Sequence, residues 1–204
     1  MGLINGSVTY TKFRVEEKLP KDFTDSLNTQ LARHAFRDID PKKNPEYSIG
    51  WVNAFNPLDT HLKIEKTLFG KYLVLGMRID RKRLPPALLK ARLTNAMRAL
   101  AREKRVRKLS REDITGLKET LRAEMLASAG ALTALFDAAW NYEAGEVYFS
   151  SASRKASEDF AELFGQTFEL TLTAQNLVAR AERIIDDIGS DAELATMQPA
   201  HFGR

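Results

Sequence analysis

The spacing of hydrophobic and polar positions changes several times along the chain, and each change marks an element. Residues 7–15 are rich in β-branched and aromatic side chains and predict an opening strand. Pro20 and Asp22 then introduce a helix in which Phe23, Leu27 and Leu31 recur every fourth position on one face. The prolines and polar side chains of residues 40–45 predict a loop, and a short strand follows over 47–52. Residues 61–68 and 72–80 both suit strands, with Gly70 and Lys71 as the turn of an antiparallel hairpin.

Pro85 and Pro86 fit the first turn of a helix, where a missing N–H is harmless. Within that helix Leu89, Leu93, Ala96, Met97 and Leu100 make one apolar stripe of 3.6-residue period, and basic side chains take the opposite face. Ser110 and Asp113 form an approximate capping box that opens a second helix through Ile114, Leu117, Leu121 and Met125. After Gly130 the pattern predicts a strand through Trp140, a turn at Glu143 to Gly145, and a strand with Val147, Tyr148 and Phe149. Ser153 caps a helix with Phe160, Leu163 and Phe164. The alternation from Phe168 to Leu172 predicts a return to the sheet. A last helix over 174–187 would turn Leu177, Ala181, Ile184 and Ile185 inward.

The fold class expected is α+β, with mixed or antiparallel sheets, packed helices and a protruding two-helix subdomain. The expected division is an α+β body of residues 1–84 and 129–188, a basic helical projection of 85–128 and a frayed tail of 189–204.

Charge changes this picture. Between Arg78 and Arg111 lie thirteen Lys or Arg residues against two acids, Asp80 and Glu103. The remaining residues carry eighteen basic and twenty-five acidic side chains, so the net +4 hides +11 on one segment and −7 elsewhere. Such a local imbalance costs self-repulsion in the folded state and is best explained by a bound polyanion, with nucleic acid the first candidate. Arg98, Arg102 and Arg105 fall nearly opposite the apolar stripe, and Lys104, Arg107, Lys108 and Arg111 extend the charge past the helix end. Lys90 lies near the start of the same helix. Three other readings compete: a solvated helix face, pairing with Glu112, Glu119 and Glu124 on the next helix, or a membrane surface, for which the stripe lacks Trp or Phe.

Other chemistry finds little support. The absence of cysteine removes disulfides, thiolate zinc sites and cysteine nucleophiles. No apolar run approaches a membrane span, and Met1 to Ser7 matches neither a signal peptide nor a myristoylation signal, so a cytoplasmic location is expected. Phosphate-loop, dinucleotide and serine-hydrolase signatures are missing. His34, His61 and His201 are widely separated, and no metal or cofactor is expected. Asp38 with Asp40, and Asp186 with Asp187, are the acids available to a two-metal nuclease, although loop and helix-end roles explain both. Trp51, Trp140, Tyr148 and Phe149 offer base-stacking rings, but their alternating strand positions suit a core.

The order of several segments resembles the bacterial recombination-associated RdgC family. They are Gly50-Trp51-Val52, Leu84 to Lys90, Arg107-Lys108-Leu109-Ser110 with Leu117-Lys118-Glu119, Trp140, and Ser151 to Ala156 with Glu158 and Asp159. The likeness covers residues 7–173; RdgC chains are longer, and their C-terminal portion has no counterpart in this sequence, so the resemblance implies a shortened member. The resemblance implies a non-enzymatic, nucleoid-associated protein that binds DNA with little sequence preference and restrains RecA by competing for DNA. It also implies a ring-shaped homodimer with a positively charged hole, in which the two-helix segment meets its counterpart. The site residues would then be Lys90, Arg98, Arg102, Lys104, Arg105, Arg107, Lys108 and Arg111. The competing classes are a Mg²⁺-dependent DNA exonuclease, which would need Asp38 and Asp40, and an interaction module that grips an acidic protein.

Overall fold

A computed structural model describes residues 9–19, 23–42, 44–175, 181, 184 and 185. Its elements, in chain order, are β1 (Thr11–Val15), α1 (Phe23–Arg33), β2 (Tyr47–Val52), α2 (Ile64–Thr67), β3 (Leu68–Phe69) and β4 (Tyr72–Lys82). They continue with α3 (Pro86–Glu103), α4 (Arg111–Ser128), β5 (Ala131–Asn141), β6 (Glu146–Phe149), α5 (Arg154–Phe168) and β7 (Leu172–Ala174). The fold is α+β, as expected. Its sheet has the order β2-β4-β5-β6-β1-β7, with β3 paired to β4.

Pairing is antiparallel between β1 and β6, with Phe13 opposite Val147, and between β5 and β6, with Trp140 opposite Val147. β7 adds to β1 in the same sense. Two compact units divide the chain: Met1–Ala35, Trp51–Met77 and Phe136–Arg204 form one, and Phe36–Gly50 with Arg78–Leu135 form the other.

The first unit holds an aromatic core. Phe160, Phe164 and Phe168 recur every fourth residue on α5, so they share one helix face, and all three are buried. Phe149 stacks on Phe160 with centroids 4.3 Å apart, and Trp140 meets Phe164 edge-on at 5.0 Å. Trp51 is fully buried and donates its indole N–H to Thr167 Oγ1 at 2.8 Å, which satisfies a polar group that burial would otherwise penalise. The stripe of Phe23, Leu27 and Leu31 on α1 is buried as its spacing predicts. Trp51, Trp140 and Phe149 are therefore core residues, and Tyr148 is half-buried with its hydroxyl donating to Glu146.

Three expectations are corrected. Of residues 61–68, only Leu68 is in a strand. The Ile64 amide donates to Asn28 Oδ1 and the Thr67 hydroxyl returns to the Lys63 carbonyl, which closes a single helical turn before the two-residue strand β3. The hairpin is real but short, with Phe69 opposite Tyr72 and Gly70 at φ +59° in the turn. Phe168 ends α5 instead of opening a strand, because helical spacing from Phe160 places it in the core; Glu169 then takes the left-handed cap, and the strand waits until Leu172. The helix expected over 174–187 falls largely outside the described residues; Ala181, Ile184 and Ile185 are helical as expected, but Ala174 lies in β7 and Ile184 is exposed instead of inward.

The second unit is held by polar contacts as well as packing. Arg78 and Asp80 pair on β4, Nη2 to Oδ2 at 2.7 Å, and the Thr133 hydroxyl of β5 donates to Asp80 Oδ1 at 2.8 Å. The Arg78 guanidinium lies 4.2 Å from the centre of the Phe36 ring. Arg122 on α4 pairs with Glu46, and Lys82 Nζ donates to the Leu126 carbonyl at 2.8 Å, where a cation suits the helix C-terminus.

Candidate nucleic-acid interface

The helix α3 starts where the sequence places it, with Pro86 in the first turn after Pro85. Its stripe of Leu89, Leu93, Ala96, Met97 and Leu100 is the most protected face, yet each of these residues is only half-buried, and no residue of α3 is fully buried. α4 begins at Ser110, whose hydroxyl accepts from the Asp113 amide at 3.0 Å while the Asp113 carboxylate accepts from the Ser110 amide. The expected capping box is present, and α3 and α4 pack against each other.

At about 100° per residue, Arg98 and Arg102 project almost diametrically away from the centre of that stripe, and Lys90 flanks it. All three are exposed. Arg105 is not on this helical face, since α3 stops at Glu103. The Val106 amide bonds the Ala101 carbonyl at 3.0 Å and the Arg105 amide bonds the Arg102 carbonyl at 3.2 Å, a Schellman closure with Arg105 at φ +54°. The turn after α3 thus carries Arg105, Arg107 and Lys108, all exposed, with Arg111 exposed at the start of α4.

Lys104 is engaged differently. Its ammonium pairs with Asp113, and this hydrogen bond, followed by that from Ser110, holds the Asp113 carboxyl below its ordinary range. The other seven predicted contact residues pair with no carboxylate among the described residues. Glu112, Glu119 and Glu124 receive none of these cations. Elsewhere in the basic segment, Arg78 and Lys82 are committed to internal contacts, and Arg81 lies 5.2 Å from the Tyr47 ring centre. Arg83 and Arg92 are also exposed and extend the cationic surface; the charge density of the segment points to them, although helical spacing does not.

Arg105 occupies a conformation that normally favours glycine, at a cost of roughly 1–2 kcal/mol for an L side chain. Arg105→Gly is expected to raise stability by about 0.5–1 kcal/mol, part of the relief being offset by the freer unfolded chain. The midpoint of urea denaturation reads this directly. A fall in the midpoint would mean that the guanidinium makes contacts that outweigh the strain.

Of the acids considered for metal chemistry, Asp38 and Asp40 join no metal-binding group among the described residues. Asp40 accepts from the Lys42 amide in its own turn, and Asp38 contributes to the field around Arg78. Among the described residues no group of three or more His, Asp or Glu side chains could hold a metal ion; Asp186, Asp187 and His201 lie outside them. No helix among the described residues is long and apolar enough to cross a membrane.

These features define an α+β protein whose second unit carries a dense cationic surface on two packed helices and the turn between them. A family model described as "Putative exonuclease, RdgC" matches residues 9–184 of the 204-residue chain. The chain belongs to the RdgC family, and the match runs past Thr173, where the likeness of individual segments ends. No curated protein matches the chain. Family membership supports a recombination-associated, DNA-binding role.

Proposed function

We propose that this protein binds the phosphate backbone of DNA with little sequence preference and modulates recombination or replication by competing with RecA for DNA at the nucleoid. Seven exposed cations without carboxylate partners among the described residues carry this reading: Lys90, Arg98, Arg102, Arg105, Arg107, Lys108 and Arg111. Lys104 adds to the field while its ammonium holds Asp113. Solvation alone leaves the repulsion among neighbouring guanidinium groups uncompensated, whereas a phosphate chain neutralises them and releases its condensed counterions. Contacts of this kind position a duplex without reading its bases. The action is binding and exclusion, with no bond broken, and the described residues offer no convergent carboxylates for the exonuclease alternative.

A homodimer belongs to the same proposal. The half-buried stripe of α3 leaves apolar surface available, and Leu88, Val106, Leu132 and Leu135 in the same unit are 43–64% exposed. A second copy covering these residues would remove apolar area at about 25 cal/mol per Å².

One experiment tests binding, assembly and catalysis together: solution mass of the protein with and without an end-labelled duplex, over a salt series, with and without Mg²⁺. The expected results are a dimer mass, a complex that weakens steeply as salt rises, and labelled ends that stay intact. Salt-independent binding, or no complex at low salt, overturns the phosphate-contact reading, while Mg²⁺-dependent loss of ends would establish the exonuclease instead.

A further inference from the structure

The first unit holds out a cluster of apolar rings that its core does not use. Phe55 is 57% exposed, Phe69 47% and Tyr72 38%. Phe55 meets Phe69 edge to face with centroids 5.5 Å apart, and Phe69 lies directly opposite Tyr72 across the β3–β4 hairpin, where side chains of a pair share one face. Lys71, exposed in the turn beside Tyr72, has no carboxylate partner among the described residues.

The loop that presents Phe55 is tightly built. Asn53 Oδ1 accepts from the amides of Phe55 at 2.8 Å and Asn56 at 3.2 Å, and Asn56 Oδ1 accepts from the Leu58 amide at 3.2 Å. Asp59 Oδ1 accepts from the His61 amide at 2.9 Å while its Oδ2 takes the Lys66 ammonium at 2.7 Å. The Asn53 amide bonds the Asp59 carbonyl at 2.9 Å and closes the loop across its base. Such a network leaves Phe55 little freedom to collapse onto the core. The hairpin turn is held as well, through the Tyr142 amide on the Lys71 carbonyl at 3.3 Å.

We infer that Phe55, Phe69 and Tyr72 form a stacking platform for the bases of single-stranded nucleic acid, with Lys71 meeting the adjoining phosphate. Edge-to-face packing leaves flat ring surface open, and the face of an unpaired base fits it without regard to sequence. In a duplex those base faces are covered by their neighbours, so the platform selects unpaired strands. A protein partner is the weaker occupant: the three rings together expose only roughly 300 Å², against about 800 Å² per partner in a stable protein interface. The flanking Lys71 gives the surface the charge that a nucleic-acid strand requires. The inference rests on nucleic-acid binding as the proposed function, and adds a second site with a different substrate form.

The test compares an oligothymidylate with a duplex of matching length, on the full chain. Phe55→Ala with Phe69→Ala is expected to weaken oligothymidylate binding about tenfold or more and to leave duplex binding unchanged. Phe55→Leu with Phe69→Leu keeps apolar volume but removes the flat rings, and is expected to behave alike; it guards against a folding defect in the alanine variant. Since Trp51 and Trp140 are buried, Phe55→Trp provides a surface reporter whose emission should be quenched by the oligothymidylate. Unchanged oligothymidylate affinity in both double variants overturns the platform, as does a change of solution mass with no change in oligothymidylate binding, which would assign the rings to a protein contact. Loss of duplex binding in wild-type protein would instead strike the proposed function.

Discussion

Replacing Arg98, Arg102 and Arg107 together by glutamate is expected to weaken binding to duplexes of every sequence by a similar factor, on the order of a hundredfold or more at low salt, and to flatten the salt dependence. Each phosphate that the protein no longer neutralises takes about 0.9 off the slope of log affinity against log salt concentration, so three such phosphates lower its magnitude by about 2.7. Arg98 and Arg102 project from the exposed side of α3 and Arg107 from the turn beyond it, none with a carboxylate partner among the described residues. The fold should survive, since none of the three is buried. Lys104→Gln is the informative contrast: it removes the pairing with Asp113 and therefore disturbs the α4 cap as well as the charge. Duplex titrations at four or five salt concentrations decide the matter, and an unchanged slope in the triple variant would remove this surface from the DNA interface.

The Asp80→Ala variant is expected to lose about 3 kcal/mol of stability, because it strands a largely buried guanidinium. Asp80 lies in the middle of a chain of contacts in which Arg78 and Thr133 both donate to it while Arg78 stacks on Phe36. The side chains of Asp80 and Arg78 are only 7% and 17% exposed, so water replaces little of what is removed. The hydrogen bond from Arg78, helped by that from Thr133, holds the Asp80 carboxyl below its ordinary range. A carboxyl with a lowered native pKa binds protons more readily in the unfolded chain. Its stabilisation is therefore complete above about pH 4 and disappears as pH falls through the lowered native value. Urea midpoints of wild type and Asp80→Asn should differ most at neutral pH and converge in acid. A gap that persists at pH 2 would mean that shape, not charge, accounts for the difference.

Both predictions concern the second unit, and there the sequence was legible to different depths. The α3 stripe and the opposed Arg98 and Arg102 follow from a 3.6-residue period, and the cap at Ser110 from two side chains three residues apart; both are local rules, and for these residues both hold. The position of Arg105 was not legible by the wheel, because the helix closes at Glu103 through backbone bonds that involve no characteristic glycine. Nor could spacing tell that Lys104 would turn to Asp113 while Arg105 and Arg107 pair with no carboxylate among the described residues, since that choice depends on the return of the chain into α4. Residues 61–67 failed as a strand for a comparable reason: Asn28, thirty-six residues away, captures the Ile64 amide.

Charge segregation, the amphipathic stripes and the caps were settled along the chain itself, because each depends on residues within a turn or two of one another. The family resemblance, too, was carried by short segments in a given order. Contacts between distant residues settled the rest: the seat of Asp80 between Arg78 and Thr133, the indole of Trp51 on Thr167, and the aromatic trio at the hairpin that remains uncovered. Periodicity can name the face a side chain shares, but what lies opposite that face depends on chain segments brought together only by folding.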